Sequence, residues 1–222
     1  MTGDYQDEVS RETVGEPPPA ARVVFGARLE LARQYTEWLA DAGIERGLIG
    51  PREVPRLWER HVLNCGVVAD LVDTNESVAD VGSGAGLPGI PMAIARSDVS
   101  VTLIEPMQRR IRFLEETVDL LGLDHVTVVR ARAQDHVPPE PFDVVTARAV
   151  TKLADLAAWS SSLLRPGGRL MALKGASVHD ELRQAVKTLR RLGASSWTVE
   201  TVGDGVVDQA TVVAVVTMGQ GG

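Results

Sequence analysis

The sequence has one cysteine, Cys65, in 222 residues, so no internal disulfide can form. Its four histidines, His61, His125, His136 and His179, show no metal-ligand spacing with that cysteine, and no metal site is expected. No apolar run reaches the ~20 residues that a membrane-spanning helix needs. The first residues are acidic and polar, unlike a signal peptide. A net charge of −7 argues against strong nonspecific binding to nucleic acid. No internal repeat is visible. A cytoplasmic, monomeric protein without membrane or metal is the expectation. What is present is an apolar content of 44%, enough for a real core, in a chain long enough for one substantial domain and an appendage.

The charge is uneven. Residues 1–20 hold five acids and one base, and the segment ends in Pro17-Pro18-Pro19. Residues 1–22 therefore read as a disordered acidic tail. Residues 23–74 read as a small helical region. Phe25, Leu29, Tyr35, Trp38 and Leu39 recur at helical spacing up to Gly43. Pro51 can open a second helix carrying Val54, Leu57, Trp58 and His61, and a third is expected over 62–71. From residue 75 onward strands and helices alternate. Strands are predicted at 78–81, 101–105, 126–130, 142–146, 169–174, 196–202 and 210–216. Helices are predicted near 90–96, 109–121, 153–164 and 179–192. Alternation of this kind gives a parallel sheet covered by helices. The last two strands lack a helix between them and should pair antiparallel. The fold class is thus α/β, a Rossmann-like, mostly parallel seven-stranded sheet with an antiparallel last strand. That ending suits a methyltransferase better than a dinucleotide fold.

The stretch Asp80-Val-Gly-Ser-Gly-Ala-Gly-Leu-Pro-Gly-Ile-Pro91 reads as a strand, a glycine turn and a helix start, which together make a site for a nucleotide-like ligand. It contains G-x-G-x-x-G, the dinucleotide pattern, which is weak evidence by itself. Two details favour S-adenosylmethionine over NAD. Asp80 would repel a pyrophosphate but suits an ammonium and a sulfonium. Pro88 and Pro91 crowd the turn and delay the helix. Glu105, 23 residues after Gly82, ends the second strand, where a carboxylate can accept both ribose hydroxyls; a helix-start acid is the alternative. Ala133 and Gln134 follow the third strand, where an adenine edge could be read.

The fourth strand ends in Thr146-Ala147-Arg148-Ala149. An exocyclic-amine methyltransferase would place Asn/Asp-Pro-Pro-aromatic there. A pyrimidine-carbon enzyme would need a cysteine nucleophile, whereas Cys65 lies in the helical region and reads as a packing residue. A nucleophile with a free lone pair, such as guanine N7, remains. Its reaction needs alignment, exclusion of water and control of charge. No catalytic side chain is identified; Arg132, Arg148 and Lys174, near strand ends, are candidates. For Arg148 a contact to the cofactor carboxylate or to RNA phosphate is preferred, because gripping O6/N7 would block attack.

Four stretches together resemble the small-subunit ribosomal RNA guanine-N7 methyltransferase family, also called glucose-inhibited division protein B. They are the glycine-proline loop, Arg110-Ile-Arg-Phe-Leu114, Phe142-Asp-Val-Val-Thr-Ala-Arg-Ala149 and Leu173-Lys-Gly175. Trp58-Glu-Arg-His-Val-Leu-Asn64 resembles the family's histidine motif. The resemblance spans about residues 25–218. It implies methyl transfer from S-adenosylmethionine to N7 of a guanine in the decoding-region loop of bacterial 16S rRNA, free or in the small ribosomal subunit. By position it places cofactor contacts on Gly82, Leu87, Ala133, Gln134 and Arg148, with Glu105 at the ribose. Asp80 and Gly84 join them from the glycine loop. Many relatives carry Glu in place of Gln134 and Asp in place of Asn64.

Since the total charge is unfavourable, RNA must be met by local patches. Arg109, Arg110 and Arg112 cluster at one helix start, and Arg56, Arg60 and His61 form another set. A satisfied core or capping role competes equally for His61. Methylation of a small molecule or a protein, and a non-catalytic nucleotide-binding module, remain as alternatives.

Overall fold

The computed structural model describes residues 14–220. The expected tail over 1–13 lies outside the described residues. Its remaining part differs from the expectation. A helix, α1 (Pro19–Phe25), begins at the last of the three prolines. Proline suits a first helical position, because its missing N–H would have no partner there. Just upstream, the Trp58 indole donates to the Gly15 carbonyl at 3.1 Å.

The helical region continues through α2 (Leu29–Trp38) and a wide turn, Leu39–Gly43. The expected second helix is instead a tight 3₁₀ segment, Pro51–Arg56, followed by a wide π-type segment, Leu57–Leu63. Pro55 lies inside the first and has no N–H to donate, which breaks a regular α-helix. One α turn, α3 (Asn64–Gly66), and a 3₁₀ segment, Val67–Leu71, complete the region.

Seven strands follow: β1 (Ser77–Val81), β2 (Ser100–Ile104), β3 (Val126–Val129), β4 (Phe142–Arg148), β5 (Leu164–Lys174), β6 (Ala194–Val202) and β7 (Thr211–Met218). They form one sheet in the order β3-β2-β1-β4-β5-β7-β6. β1 to β5 pair in parallel, and β7 runs antiparallel to both β5 and β6. The alternation in sequence therefore gives the expected sheet. β5 starts earlier than expected. Leu164 pairs with Phe142, the register then shifts, and Arg169 pairs with Val144. The Pro166-Gly167-Gly168 stretch is absorbed as an irregularity inside the strand. The preceding helix, α6 (Leu153–Ser160), is correspondingly shorter.

Alternate strand residues face two apolar layers, as a period of two requires. Val78, Leu103 and Val144 pack with α4 (Gly89–Ala95), α5 (Gln108–Leu121) and the helical region. Ala79, Ile104 and Val145 pack with α6 and α7 (Val178–Arg191). In α5 the buried Ile111, Phe113, Leu114, Thr117 and Leu121 form one face, and Gly122 in left-handed conformation ends the helix.

The helical region grips this face with directed contacts. Trp38 stacks on Phe113 with ring centroids 5.8 Å apart, and its indole donates to Thr117 Oγ1 at 3.0 Å. Arg46 lies over Trp38 and pairs with Glu116. The Asn64 side-chain amide faces the carbonyls of Glu59 and Gln209, and the orientation with its nitrogen toward them places donor and acceptor 3.1 and 3.0 Å apart. From β1 the chain moves outward to β2 and β3, then returns to β1's other side with β4. That reversal opens a crevice at the carboxyl ends of β1 and β4, where doubly wound sheets bind ligands.

Candidate functional site

A cleft of about 390 Å³ lies at that crevice. Each of four strands delivers residues to it from its carboxyl end. β1 leads to Gly82, β2 to Glu105, β3 to Ala133 and Gln134 in the following turn, and β4 to Arg148. Gly82 has φ +70°, and a Cβ there would stand 3.0 Å from Val150. Glycine permits both the turn and the close approach of the β4–α6 loop.

Glu105 is 1% exposed and faces the cleft. Its Oε2 accepts from the Gly84 N–H at 3.1 Å, and its Oε1 accepts from the Met107 N–H at 3.0 Å. Arg110 Nη1 lies 3.4 Å from Oε2. These donors offset the cost of taking a carboxylate out of water. They also hold the glycine loop to the end of β2.

Asp80 occupies a different place from the one its sequence position suggested. It is fully buried beneath the loop and does not line the cleft. Its Oδ2 accepts from the Gly89 N–H at 3.0 Å, which satisfies one of the free donors at the start of α4. A Cβ on residue 89 would stand 2.8 Å from that oxygen, so only glycine lets the helix come this close. Oδ1 is buried without a partner. Burial raises the Asp80 carboxyl from an ordinary 3.8 to about 7, against the opposing hydrogen bond from Gly89. Gly84 acts through its N–H on Glu105, and Leu87 is buried in the apolar layer under the loop.

Three of the strand-end bases differ in role. Arg132 is exposed and lines the cleft. Arg148 lines it as well, and its guanidinium is held from behind. It donates to the Arg60 carbonyl at 3.2 Å, to Cys65 Sγ at 3.6 Å and to His61 Nδ1 at 2.6 Å. Lys174 does not line the cleft. Its Nζ donates to the Thr151 carbonyl at 2.7 Å and pairs with Glu181 at 2.8 Å. It fastens the loop that carries Ala149, whose φ of +54° costs an L-residue roughly 1–2 kcal/mol. These contacts hold the Lys174 ammonium away from the cleft lining. Cys65 is fully buried, and burial pushes its thiol up to about 11, so it is no ready nucleophile.

The arginine cluster on α5 divides. Arg109 and Arg112 are exposed, whereas Arg110 turns into the cleft toward Glu105. Arg110, read from sequence as an RNA contact with its two neighbours, thus faces Glu105 while they face outward. Successive helix residues point about 100° apart, so Arg110 and Arg112 are spread over about 160° and Arg110 can reach Glu105 while Arg112 stays in solvent. Arg60 is exposed and lies 3.6 Å from Glu53. His61 is not free to meet a ligand, since both ring nitrogens are engaged, Nδ1 with Arg148 and Nε2 with Glu53 at 2.8 Å.

Several cleft residues carried no signal in sequence. Met107 and Pro106 follow Glu105, and Trp159 comes from α6 across the sheet end. Ile104 and Ala131 add further apolar wall. Tyr35 acts from outside, its buried hydroxyl donating to the Ala85 carbonyl in the glycine loop at 2.8 Å. A carboxylate between two loop N–H groups, an amide at Gln134 and apolar walls suit a nucleoside with a charged tail. The donor set therefore fits S-adenosylmethionine. Among the described residues no cluster of three His, Cys, Asp or Glu could hold a metal ion.

Comparison with known proteins agrees. The GidB family model, described as rRNA small subunit methyltransferase G, matches residues 28–211. The chain is 54% identical over 211 residues to the Ribosomal RNA small subunit methyltransferase G of Streptomyces avermitilis, covering 92% of this chain and 88% of that one. With its counterpart in Streptomyces coelicolor it shares 54% identity, covering 91% and 85%. Among solved structures, M. jannaschii TYW2 in complex with AdoMet superposes with a TM-score of 0.59 at 18% identity, over 74% of this chain and 78% of that one. A SAM-dependent O-methyltransferase of Thermotoga maritima gives 0.53 at 16% identity, over 71% and 65%. At such identities these two speak for the fold alone.

Proposed function

The chain belongs to the GidB family, rRNA small subunit methyltransferase G, and from that premise we propose that it methylates N7 of a guanine in the decoding-region loop of bacterial 16S rRNA. The supporting observation is the cleft at the β1/β4 switch point, with Glu105 turned into it between two loop N–H groups. S-adenosylmethionine supplies, when bound, an electrophilic methyl group on a sulfonium. Glu105 is the acceptor for the ribose hydroxyls, with Gly82 and the Gly84 backbone forming the floor. Gln134 and the Ala133 backbone address the adenine edge, and Met107 and Ile104 provide apolar contact. Arg148 serves the cofactor's carboxylate or an RNA phosphate.

Guanine N7 carries its lone pair outside the ring π-system, so no general base is assigned. The protein's tasks are alignment, exclusion of water by the apolar walls, and management of the positive charge. Arg109 and Arg112 on α5 and Arg60 in the helical region are the RNA contacts, with Arg132 on the rim. We read residues 23–74 as a helical region serving a methyltransferase domain of residues 75–222. The proposal is for a cytoplasmic monomer acting on 16S rRNA or the small ribosomal subunit.

The test is chemical. A guanine methylated at N7 is cationic and prone to base loss, so borohydride and aniline cut the RNA there. RNA from a strain lacking the protein should miss one such cut, and purified protein with S-adenosylmethionine should restore it. An unaltered cleavage pattern refutes the assignment. Calorimetric titration should show binding of S-adenosylhomocysteine and none of NAD.

A further inference from the structure

We propose that Glu53 and His61 form a positioning relay that presents Arg148 to the cleft, and that the relay holds only while the His61 ring is neutral. Arg148 Nη2 lies 2.6 Å from His61 Nδ1, and His61 Nε2 lies 2.8 Å from Glu53 Oε2. A guanidinium has donors and no acceptor, so Nδ1 has to accept. The ring proton then sits on Nε2, where it is donated to Glu53. One tautomer satisfies both contacts. A protonated ring carries N–H on both sides and faces the Arg148 donor with a second donor.

The relay joins two parts of the chain. Glu53 stands in the 3₁₀ segment and His61 in the wide segment after it, whereas Arg148 ends β4. His61 has a side chain 14% exposed, and Glu53 is 30% exposed. The Arg60 carbonyl and Cys65 Sγ hold the other guanidinium nitrogen. The helical region thereby fixes a side chain that the sheet alone would leave free at a strand end. Such second contacts are how enzymes lock the rotamer of a group that must meet its ligand.

The surroundings favour the neutral ring. Burial lowers the His61 pKa below its ordinary 6.5, with Arg148 and then Arg60 acting in the same direction and Glu53 opposing. Arg56 faces Glu53 from the same segment. Beyond Arg148 stand Cys65 and Asp80, and Asp80 titrates near 7. An acid limb in activity could therefore arise from Asp80 as well as from His61, and the variants have to separate them.

The inference rests on the methyltransferase reading, and its first test does not need activity. Nitrogen NMR of the His61 imidazole in the free protein should show the Nε2–H tautomer and a midpoint below 6.5. An Nδ1–H tautomer overturns the relay even in a fully active enzyme. The second test is kcat/KM for rRNA methylation between about pH 5 and 8, where histidine changes charge. Activity should fall on the acid side. Glu53→Gln removes the carboxylate that supports the protonated ring, so the acid limb should move to lower pH. His61→Leu has no acceptor and should lose about tenfold or more, as for one charge-assisted hydrogen bond. His61→Asn offers an oxygen near the Nδ1 position and does not titrate. It should recover part of the loss and lack the histidine limb. If His61→Leu fails to fold, Glu53→Gln and His61→Asn still decide. Profiles of both superimposing on that of the native enzyme would assign the limb to Asp80 and refute the relay. Failure of the native enzyme to methylate RNA would refute the functional reading and leave the NMR result to judge the relay.

Discussion

Replacing Tyr35 with phenylalanine isolates the hold of the helical region on the glycine loop. The Tyr35 hydroxyl is fully buried and donates to the Ala85 carbonyl at 2.8 Å, across fifty residues of chain. The ring fills the same volume in phenylalanine, so no cavity of consequence forms. What is lost is the hydrogen bond, and a buried carbonyl is left without its donor. That costs about 1–3 kcal/mol. For a protein of this size each kcal/mol moves Tm by about 2–4 °C. A loss near ~2 kcal/mol then lowers Tm by about 4–8 °C. Binding of S-adenosylhomocysteine should weaken by a smaller factor. A ligand senses only the fraction of molecules with the loop in place, and that fraction stays close to one until its ordering free energy nears zero. Differential scanning calorimetry with and without S-adenosylhomocysteine measures both effects, and titration calorimetry gives the affinity directly. A Tm unchanged within about 1 °C would show that the bond contributes nothing net. A large loss of affinity at unchanged Tm would place Tyr35 in ligand contact instead of beneath the loop.

Glu105→Ala should weaken S-adenosylhomocysteine binding by about tenfold or more, since each hydrogen bond to a charged acceptor contributes ~1.5–3 kcal/mol; unchanged affinity in titration calorimetry would remove Glu105 from the site. Asp80 sets a pH dependence of stability. Its folded pKa of about 7 exceeds the ordinary 3.8, so the native state binds more protons than the unfolded chain between those values. Stability then falls as pH rises through that window, by about 4 kcal/mol in all. Urea unfolding of Asp80→Asn should show a flatter profile between about pH 4 and 7, and an unchanged slope would exclude Asp80 as its source. Lys174→Met leaves Glu181 without its cation and frees the Thr151 carbonyl; partial exposure brings the cost to about 2 kcal/mol, below that of a fully buried pair. It should lower Tm while leaving S-adenosylhomocysteine affinity within about threefold, and complete loss of methylation in a folded variant would return Lys174 to the candidates for catalysis. Arg109→Ala should raise KM for RNA and reduce the salt slope of binding by about one unit, with cofactor affinity intact; unaltered RNA binding would remove this arginine from the interface.

The sequence alone determined the sheet and its approximate strand limits, because a period of two and a period of 3.6 are properties of neighbouring residues. It also located the floor of the cleft. Glycines that the turn and the helix approach require, together with acids at two strand ends, are visible without a fold. Partnership was decided by tertiary structure. Arg148 and Lys174 look alike as bases ending adjacent strands. One faces a cleft with His61 and Arg60 behind it, whereas the other is drawn onto Glu181 and Thr151. Asp80 and Glu105 are both strand-end acids of the glycine motif. Only Glu105 reaches the cleft, because α4 starts directly over Asp80 and takes its carboxylate as a cap. Arg110 separates from Arg109 and Arg112 by the turn of a helix and by the position of Glu105. In each case the deciding partner comes from another element: Gly89 in α4 for Asp80, Thr151 and Glu181 for Lys174, and Arg60, 88 residues away in sequence, for Arg148. A side chain's direction follows from the free energy of contacts that exist only once those elements are packed.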